Sequence, residues 1–164
     1  FPSPQFFKNY EDPLLEPEAT SNFWISEQEK INKEKKIRFL KTHNALCKIN
    51  SNSFTDEKNT IGAIYIVRDP RNVITSLKNH YNLASYEEAK KFLFFKNQIL
   101  TLSEKEKEKY LTKDKHPLPQ FIGSWKTHYL SWKNMKKNYM LVKLNFLDHG
   151  ILDLIKMILR LLKI

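Results

Sequence analysis

An arginine, Arg68, stands where the apolar run Ile61 to Val67 meets a helix start, and a serine, Ser76, follows within that helix. The run is β-branched and aromatic and predicts a buried strand. Asp69 is a good N-cap, and Pro70 suits the first helical position, where a missing N–H costs nothing. Arg68 therefore lies on the rim between strand and helix, with Ser76 about two turns further on. A planar fork of guanidinium donors, a hydroxyl and a helix N-terminus together suit an anion, and a phosphate in particular. Surface pairing of Arg68 with Asp69 is the bland alternative, but it would not require the Pro, helix and Ser that follow. Arg71 points along the helix and ranks below Arg68.

A second cluster, Lys41-Thr42-His43, follows a predicted short strand at Ile37 to Leu40. Ligand chemistry in open α/β sheets collects beyond the carboxyl ends of strands, which is where both His43 and Arg68 are expected. A histidine in that place is by itself more often a hydrogen-bonded structural residue. His80, late in the Arg68 helix, suits packing, and His116 and His128 read as loop or surface residues.

These segments resemble a known family. An apolar strand followed by V-R-D-P-R-N-V-x-x-S-x-x-N-H-Y is similar to the 3′-phosphate motif of the sulfotransferases that use 3′-phosphoadenosine-5′-phosphosulfate (PAPS). The resemblance implies that Arg68 and Ser76 hold the 3′-phosphate. Phe39-Leu40-Lys41-Thr42-His43 is similar to the family's K-T-H element, which implies His43 as catalytic base and Lys41 beside the transferred group. Gly123-Ser124-Trp125 through Trp132 resembles the G-S-W…W segment that opens a later helix. The three motifs occur in the family's order across roughly residues 37 to 144. The co-substrate implied is PAPS, with no metal.

Departures from the pattern carry their own expectations. Only Gly62, Gly123 and Gly150 occur, and none lies in a Lys-Ser-Gly sequence, so no segment provides the run of backbone N–H donors of the family's 5′-phosphosulfate loop. The chain starts at Phe1 rather than Met, and the expectation is a fragment lacking that N-terminal loop. Where the family has tyrosine-glutamate-aspartate, this chain has Val142 to Asp148, and no R-K-G segment follows. Lys126 stands where some members have a tyrosine near the adenine, and no adenine role is carried onto it.

Composition bounds the rest. At 164 residues, 41% hydrophobic and 13% aromatic, the chain can bury a single core and is not of disordered type. A formal charge of +10 asks for an acidic partner, either nucleic acid, an anionic membrane surface or a small polyanion. The lysines are dispersed over 30 to 36, 90 to 91 and 105 to 115, a solvated face rather than a nucleic-acid patch. One cysteine, Cys47, excludes an internal disulfide and a cysteine-based zinc site, making a reducing, cytoplasmic location the expectation. No apolar run reaches the length of a membrane span.

The positioning elements follow from the pattern. Residues 1 to 22, broken by Pro2, Pro4, Pro13 and Pro17, predict an extended arm, with a partial sulfotransferase-like domain over 23 to 164. Phe23 to Lys36 suits a modest helix, and 50 to 60 a polar turn. Ser85 and Glu88 make a capping box for a helix whose apolar face is Ala89, Phe92, Leu93, Phe95 and Ile99. Lys105 to Pro119 predicts a mobile loop, near the acceptor by resemblance. Ser124 opens a helix with Trp125, Tyr129 and Trp132 on its core stripe, Tyr139 to Leu144 is a short buried strand, and 151 to 164 a docked helix.

The expected fold is α/β: a parallel sheet flanked by helices, of incomplete P-loop-like sulfotransferase architecture. The expected activity is sulfuryl transfer from PAPS to a hydroxyl or amine of a small molecule or carbohydrate. The alternatives are an inactive, truncated relative, a kinase-like P-loop protein and a basic nucleic-acid-binding module. Kinase chemistry wants a Walker-type lysine and an acid for magnesium, neither of which is visible.

Overall fold

The protein is described by a computed structural model that covers residues 17–100, 118–135 and 138–144. Its helices are α1 (Pro17–Ser21), α2 (Trp24–Asn32), α3 (Pro70–His80), α4 (Tyr86–Phe94) and α5 (Trp125–Lys133). Its strands are β1 (Lys48–Ile49), β2 (Asn52–Ser53), β3 (Gly62–Arg68), β4 (Ile99–Leu100), β5 (Gln120–Phe121) and β6 (Asn138–Leu144).

Local chemistry explains most of these boundaries. The Asp69 side chain accepts from the Arg71 N–H at 2.9 Å, and Pro70 takes the first helical position of α3. The helix stops at Asn82, whose left-handed φ of 51° lets the Leu83 N–H close onto the Lys78 carbonyl at 2.9 Å. Ser85 caps α4 by accepting from the Glu88 N–H, and Glu88 reaches back to the Ala84 N–H at 3.0 Å. Ser124 caps α5 by accepting from Thr127 N–H. Within the predicted polar turn, Asn50 and Ser51 both have positive φ, the geometry of a tight hairpin turn, and join β1 to β2 antiparallel.

β3 and β6 pair in parallel, in register from Gly62 with Asn138 to Arg68 with Leu144. The other two strand pairs, β1 with β2 and β4 with β5, are short and antiparallel. The core lies beside the parallel pair. Phe54 sits edge-on between Trp24, at 5.2 Å between ring centroids, and Trp132, at 6.2 Å, with Ile31 and Leu118 completing the cluster. Gln28 ties the cluster's backbone together, its amide donating to the carbonyls of Trp24 and Phe54.

Several expectations are corrected. Ile37 to Leu40 joins no ladder among the described residues, and Ile37 and Phe39 are 55% and 53% exposed. β-branched and aromatic residues make a strand only when a neighbouring strand takes up their backbone groups. β3 is half-buried along its length rather than buried, since β6 is its one hydrogen-bonded neighbour among the described residues. Pro17 starts a helical turn rather than preventing one, because proline is tolerated at a first position. α4 ends at Phe94, so Phe95 is exposed and Ile99 pairs with Phe121 in a strand. The arm before Pro17, the segment 101–117 and the helix expected over 151–164 lie outside the described residues.

Candidate functional site

The β3–α3 corner presents Arg68 as the last residue of its strand and Ser76 inside the helix, both with exposed side chains. Ser76 is seven residues beyond the N-cap, close to about two full turns, which returns it to the face of the corner. Asp69 does not pair with Arg68. It pairs with Arg71, whose Nε donates to Oδ1 at 3.0 Å and whose Nη2 donates to Oδ2 at 2.6 Å, and this holds the Asp69 carboxyl down at about 2. Arg71 thus neutralises the Asp69 carboxylate beside Arg68. Among the described residues, the side chains of Arg68 and Ser76 have no hydrogen bond or ion pair and remain available to a ligand.

The helix start itself has less to offer than the sequence predicts. Arg71 N–H is taken by the Asp69 side chain, and Asn72 and Val73 N–H by the Asp69 carbonyl at 3.0 and 3.1 Å. An N-cap carboxylate satisfies the same donors that an anion would need. Anion binding at this corner falls to side chains.

Lys41 and His43 lie in the segment before β1, both exposed. Partial burial, helped by the positive charge of Lys41, lowers the His43 imidazole below its usual 6.5. A neutral imidazole near pH 7 is in the state a proton acceptor needs. The His43 ring makes no hydrogen bond among the described residues.

What holds His43 in place is its backbone. Its N–H donates to Gln120 Oε1 at 2.9 Å, and its carbonyl accepts from His128 Nε2 at 3.0 Å. Asn44, 0% exposed, donates its N–H to Thr42 Oγ1, accepts from the Phe121 N–H through its side chain at 2.7 Å, and accepts from Trp132 Nε1 through its carbonyl at 2.9 Å. Ala45 N–H reaches the Phe121 carbonyl, and Leu46 N–H reaches Ser131 Oγ. Side chains and backbone from 120 to 132 therefore do for this segment what a sheet ladder does elsewhere. The two motifs containing His43 and Trp125–Trp132 are thus one structural unit.

The chain matches the family model described as the sulfotransferase domain over residues 3–163. It belongs to the sulfotransferase family. No curated protein and no solved structure matches the chain. The match reaches beyond the span of the three motifs at both ends, and it gives this sulfotransferase chain the α/β fold class of its family.

Within that family membership, the four sequence-derived residues lie in two segments of the chain. Arg68 and Ser76 share the β3–α3 unit, and Lys41 and His43 share the clamped segment. β3 is tied to the His43 segment through Tyr65, whose hydroxyl lies 2.8 Å from Nδ1 of His128. Tyr65, Asn44, Gln120 and His128 are missed by sequence reasoning. His128 is mostly buried, not a surface or loop residue, and burial lowers its pKa from 6.5. No spacing rule connects Tyr65 to His128 or His128 to His43. His80 ends α3 exposed, its ring edge-on to Tyr81 at 4.7 Å. Trp132 is core as predicted, while Trp125 and Tyr129 form a half-buried stack at 5.7 Å. Cys47 is a protonated thiol, pushed by burial up to about 11. Among the described residues no helix is long and apolar enough to cross a membrane.

Proposed function

We propose that this sulfotransferase-family chain moves a sulfuryl group from PAPS to a hydroxyl or amine of a small-molecule or carbohydrate acceptor, with His43 and Lys41 catalytic and Arg68 and Ser76 binding the 3′-phosphate. The single observation that carries the proposal is that the side chains of Arg68 and Ser76 are uncommitted among the described residues, while the neighbouring Asp69 carboxylate is already occupied by Arg71. A guanidinium and a hydroxyl without partners among the described residues fit a phosphate ester, so the donor set suits the 3′ end of this nucleotide.

PAPS, when bound, supplies an activated sulfuryl group on a nucleotide leaving group. His43, lowered below 6.5 and free at its ring, accepts the proton of the acceptor hydroxyl. Lys41 offers its positive charge to the group in transfer. Arg68 and Ser76 hold the distant end of the nucleotide and so set the register of the reacting end, an effect of position rather than of bond chemistry. The proposal extends to a sulfotransferase domain over 23–164 behind an arm at 1–22, to a parallel-sheet P-loop-like architecture, and to a cytoplasmic location.

A second reading, nucleotide binding without turnover, is favoured by one observation: the 164 residues contain no Lys-Ser-Gly sequence. Both readings share the Arg68 and Ser76 site.

Isothermal calorimetry tests that site. 3′-Phosphoadenosine-5′-phosphate is expected to bind about tenfold to a hundredfold more tightly than AMP, the range of one or two charge-assisted hydrogen bonds. Arg68→Ala is expected to abolish that preference while leaving AMP binding unchanged. Equal affinity of the wild-type chain for the two nucleotides rejects the site. Sulfuryl transfer from PAPS in the same preparation separates the first reading from the second.

A further inference from the structure

We propose that His128 is a positioning residue for His43, a side-chain strut between β3 and the main chain of the base. The inference rests on the reading above that His43 accepts the acceptor's proton.

The geometry determines the protonation of the strut. The His43 carbonyl can only accept, so His128 Nε2 carries the proton of that 3.0 Å hydrogen bond. In the neutral ring, Nδ1 is then an acceptor, and the Tyr65 hydroxyl donates to it at 2.8 Å. Burial favours this neutral state. With both nitrogens used and the ring packed against Tyr65 at 5.6 Å, the imidazole has one orientation. Tyr65 is in the middle of β3, three residues before Arg68, so the strand that ends in the anion anchor also fixes the strut.

The strut matters because of what His43 lacks. Its segment belongs to no strand ladder, and its ring has no partner of its own among the described residues. The orientation of the base is then inherited from its main chain. Gln120 secures the N–H side of His43, and among the described residues His128 alone secures the carbonyl side. A misplacement of about 1 Å in a reacting group costs on the order of a hundredfold in rate. Loss of the His128 donor is therefore expected to act on turnover, while the Arg68 corner, which His128 does not touch, keeps its affinity.

The test uses the full chain with PAPS as donor and 2-naphthol as a simple phenolic acceptor. His128→Ala is expected to lower kcat at least about tenfold, the equivalent of one lost hydrogen bond, with the Kd for 3′-phosphoadenosine-5′-phosphate unchanged within about twofold. His128→Gln places an amide donor within reach of the same carbonyl and is expected to recover most of the rate. Tyr65→Phe keeps the aromatic body and removes only the hydroxyl, so it folds if His128→Ala does not, and an intermediate kcat is expected. An unchanged kcat in His128→Ala or in Tyr65→Phe, or no recovery in His128→Gln, overturns the proposal. So does nucleotide affinity that falls in parallel with kcat, the mark of general loosening.

His43→Ala in parallel separates the two levels. Turnover surviving His43→Ala rejects His43 as the base, whereas turnover lost in His43→Ala but retained in His128→Ala rejects only the strut. The ring 1H–13C cross-peaks of His43 report on the strut without turnover. They are expected to move toward those of a freely rotating histidine in His128→Ala and to return in His128→Gln; peaks that stay in place overturn the proposal.

Discussion

The indole of Trp132 donates a 2.9 Å hydrogen bond to the main-chain carbonyl of Asn44, 88 residues earlier in the chain. This bond joins the hydrophobic core to the segment that presents Lys41 and His43. On one side Trp132 packs edge-on against Phe54, and on the other it satisfies a carbonyl with no strand neighbour. Stability of the core and placement of the candidate base are thereby coupled through a single side chain.

Trp132→Phe separates the two roles. It leaves an aromatic ring in the core but strands the Asn44 carbonyl and opens a small void. The expected cost is about 2–3 kcal/mol, from one unsatisfied buried acceptor plus lost volume. Urea denaturation should show a lower midpoint at unchanged slope, and a midpoint equal to wild type would contradict the coupling.

Gly123 supplies a second stability prediction. Its φ of +59° is left-handed, and a Cβ there would lie 2.9 Å from Thr127 Oγ1 and 3.1 Å from the Lys96 carbonyl oxygen. Gly123→Ala is expected to destabilise by about 1–2 kcal/mol from the backbone conformation alone, with the crowding added. A thermal scan that shows no drop in Tm for the variant would remove this account of the turn before α5.

His43→Ala should lower sulfuryl transfer by about 10²–10⁴-fold, the usual contribution of a general base. Because the folded imidazole titrates below 6.5, the acidic limb of the kcat/KM profile should fall below that value in the wild-type chain. An acidic limb above 6.5, or turnover that persists without the imidazole, is incompatible with the role given to His43.

His128 makes stability depend on pH with a definite sign. Its folded pKa is depressed below 6.5 by burial, so the unfolded chain binds a proton that the folded chain resists. The destabilisation is absent well above pH 6.5, grows as pH falls through 6.5 and levels off below the folded value. The slope from one such group is at most about 1.4 kcal/mol per pH unit. His43 adds in the same direction but less, because water screens its exposed ring. Denaturation midpoints between pH 5 and 7 should fall less steeply in His128→Gln than in wild type; equal slopes would mean that His128 is not held neutral.

Much of the scaffold was legible in the residues. The strand ending at Arg68, the helix opened by Asp69 and Pro70, the caps at Ser85 and Ser124, and the β6 strand all appear where the pattern places them. Each depends on groups within three or four residues of one another, or on a β-branched run, so short-range sequence is enough. Ile37 to Leu40 has the same composition as a strand, yet it forms none among the described residues, because a ladder needs a neighbour that composition does not specify. The family motifs likewise point to Arg68, Ser76, Lys41 and His43, while leaving their supports unnamed.

The sequence by itself determined local shape, and the sulfotransferase motifs within it. Tertiary structure decided which distant polar groups meet: Asn44 with Trp132 and Phe121, and His128 between Tyr65 and His43. The physical reason is the range of the forces. Capping and propensity act between neighbours in the chain, whereas a buried hydrogen bond is made only after folding has removed water from both partners and brought together residues that were 63 to 88 positions apart.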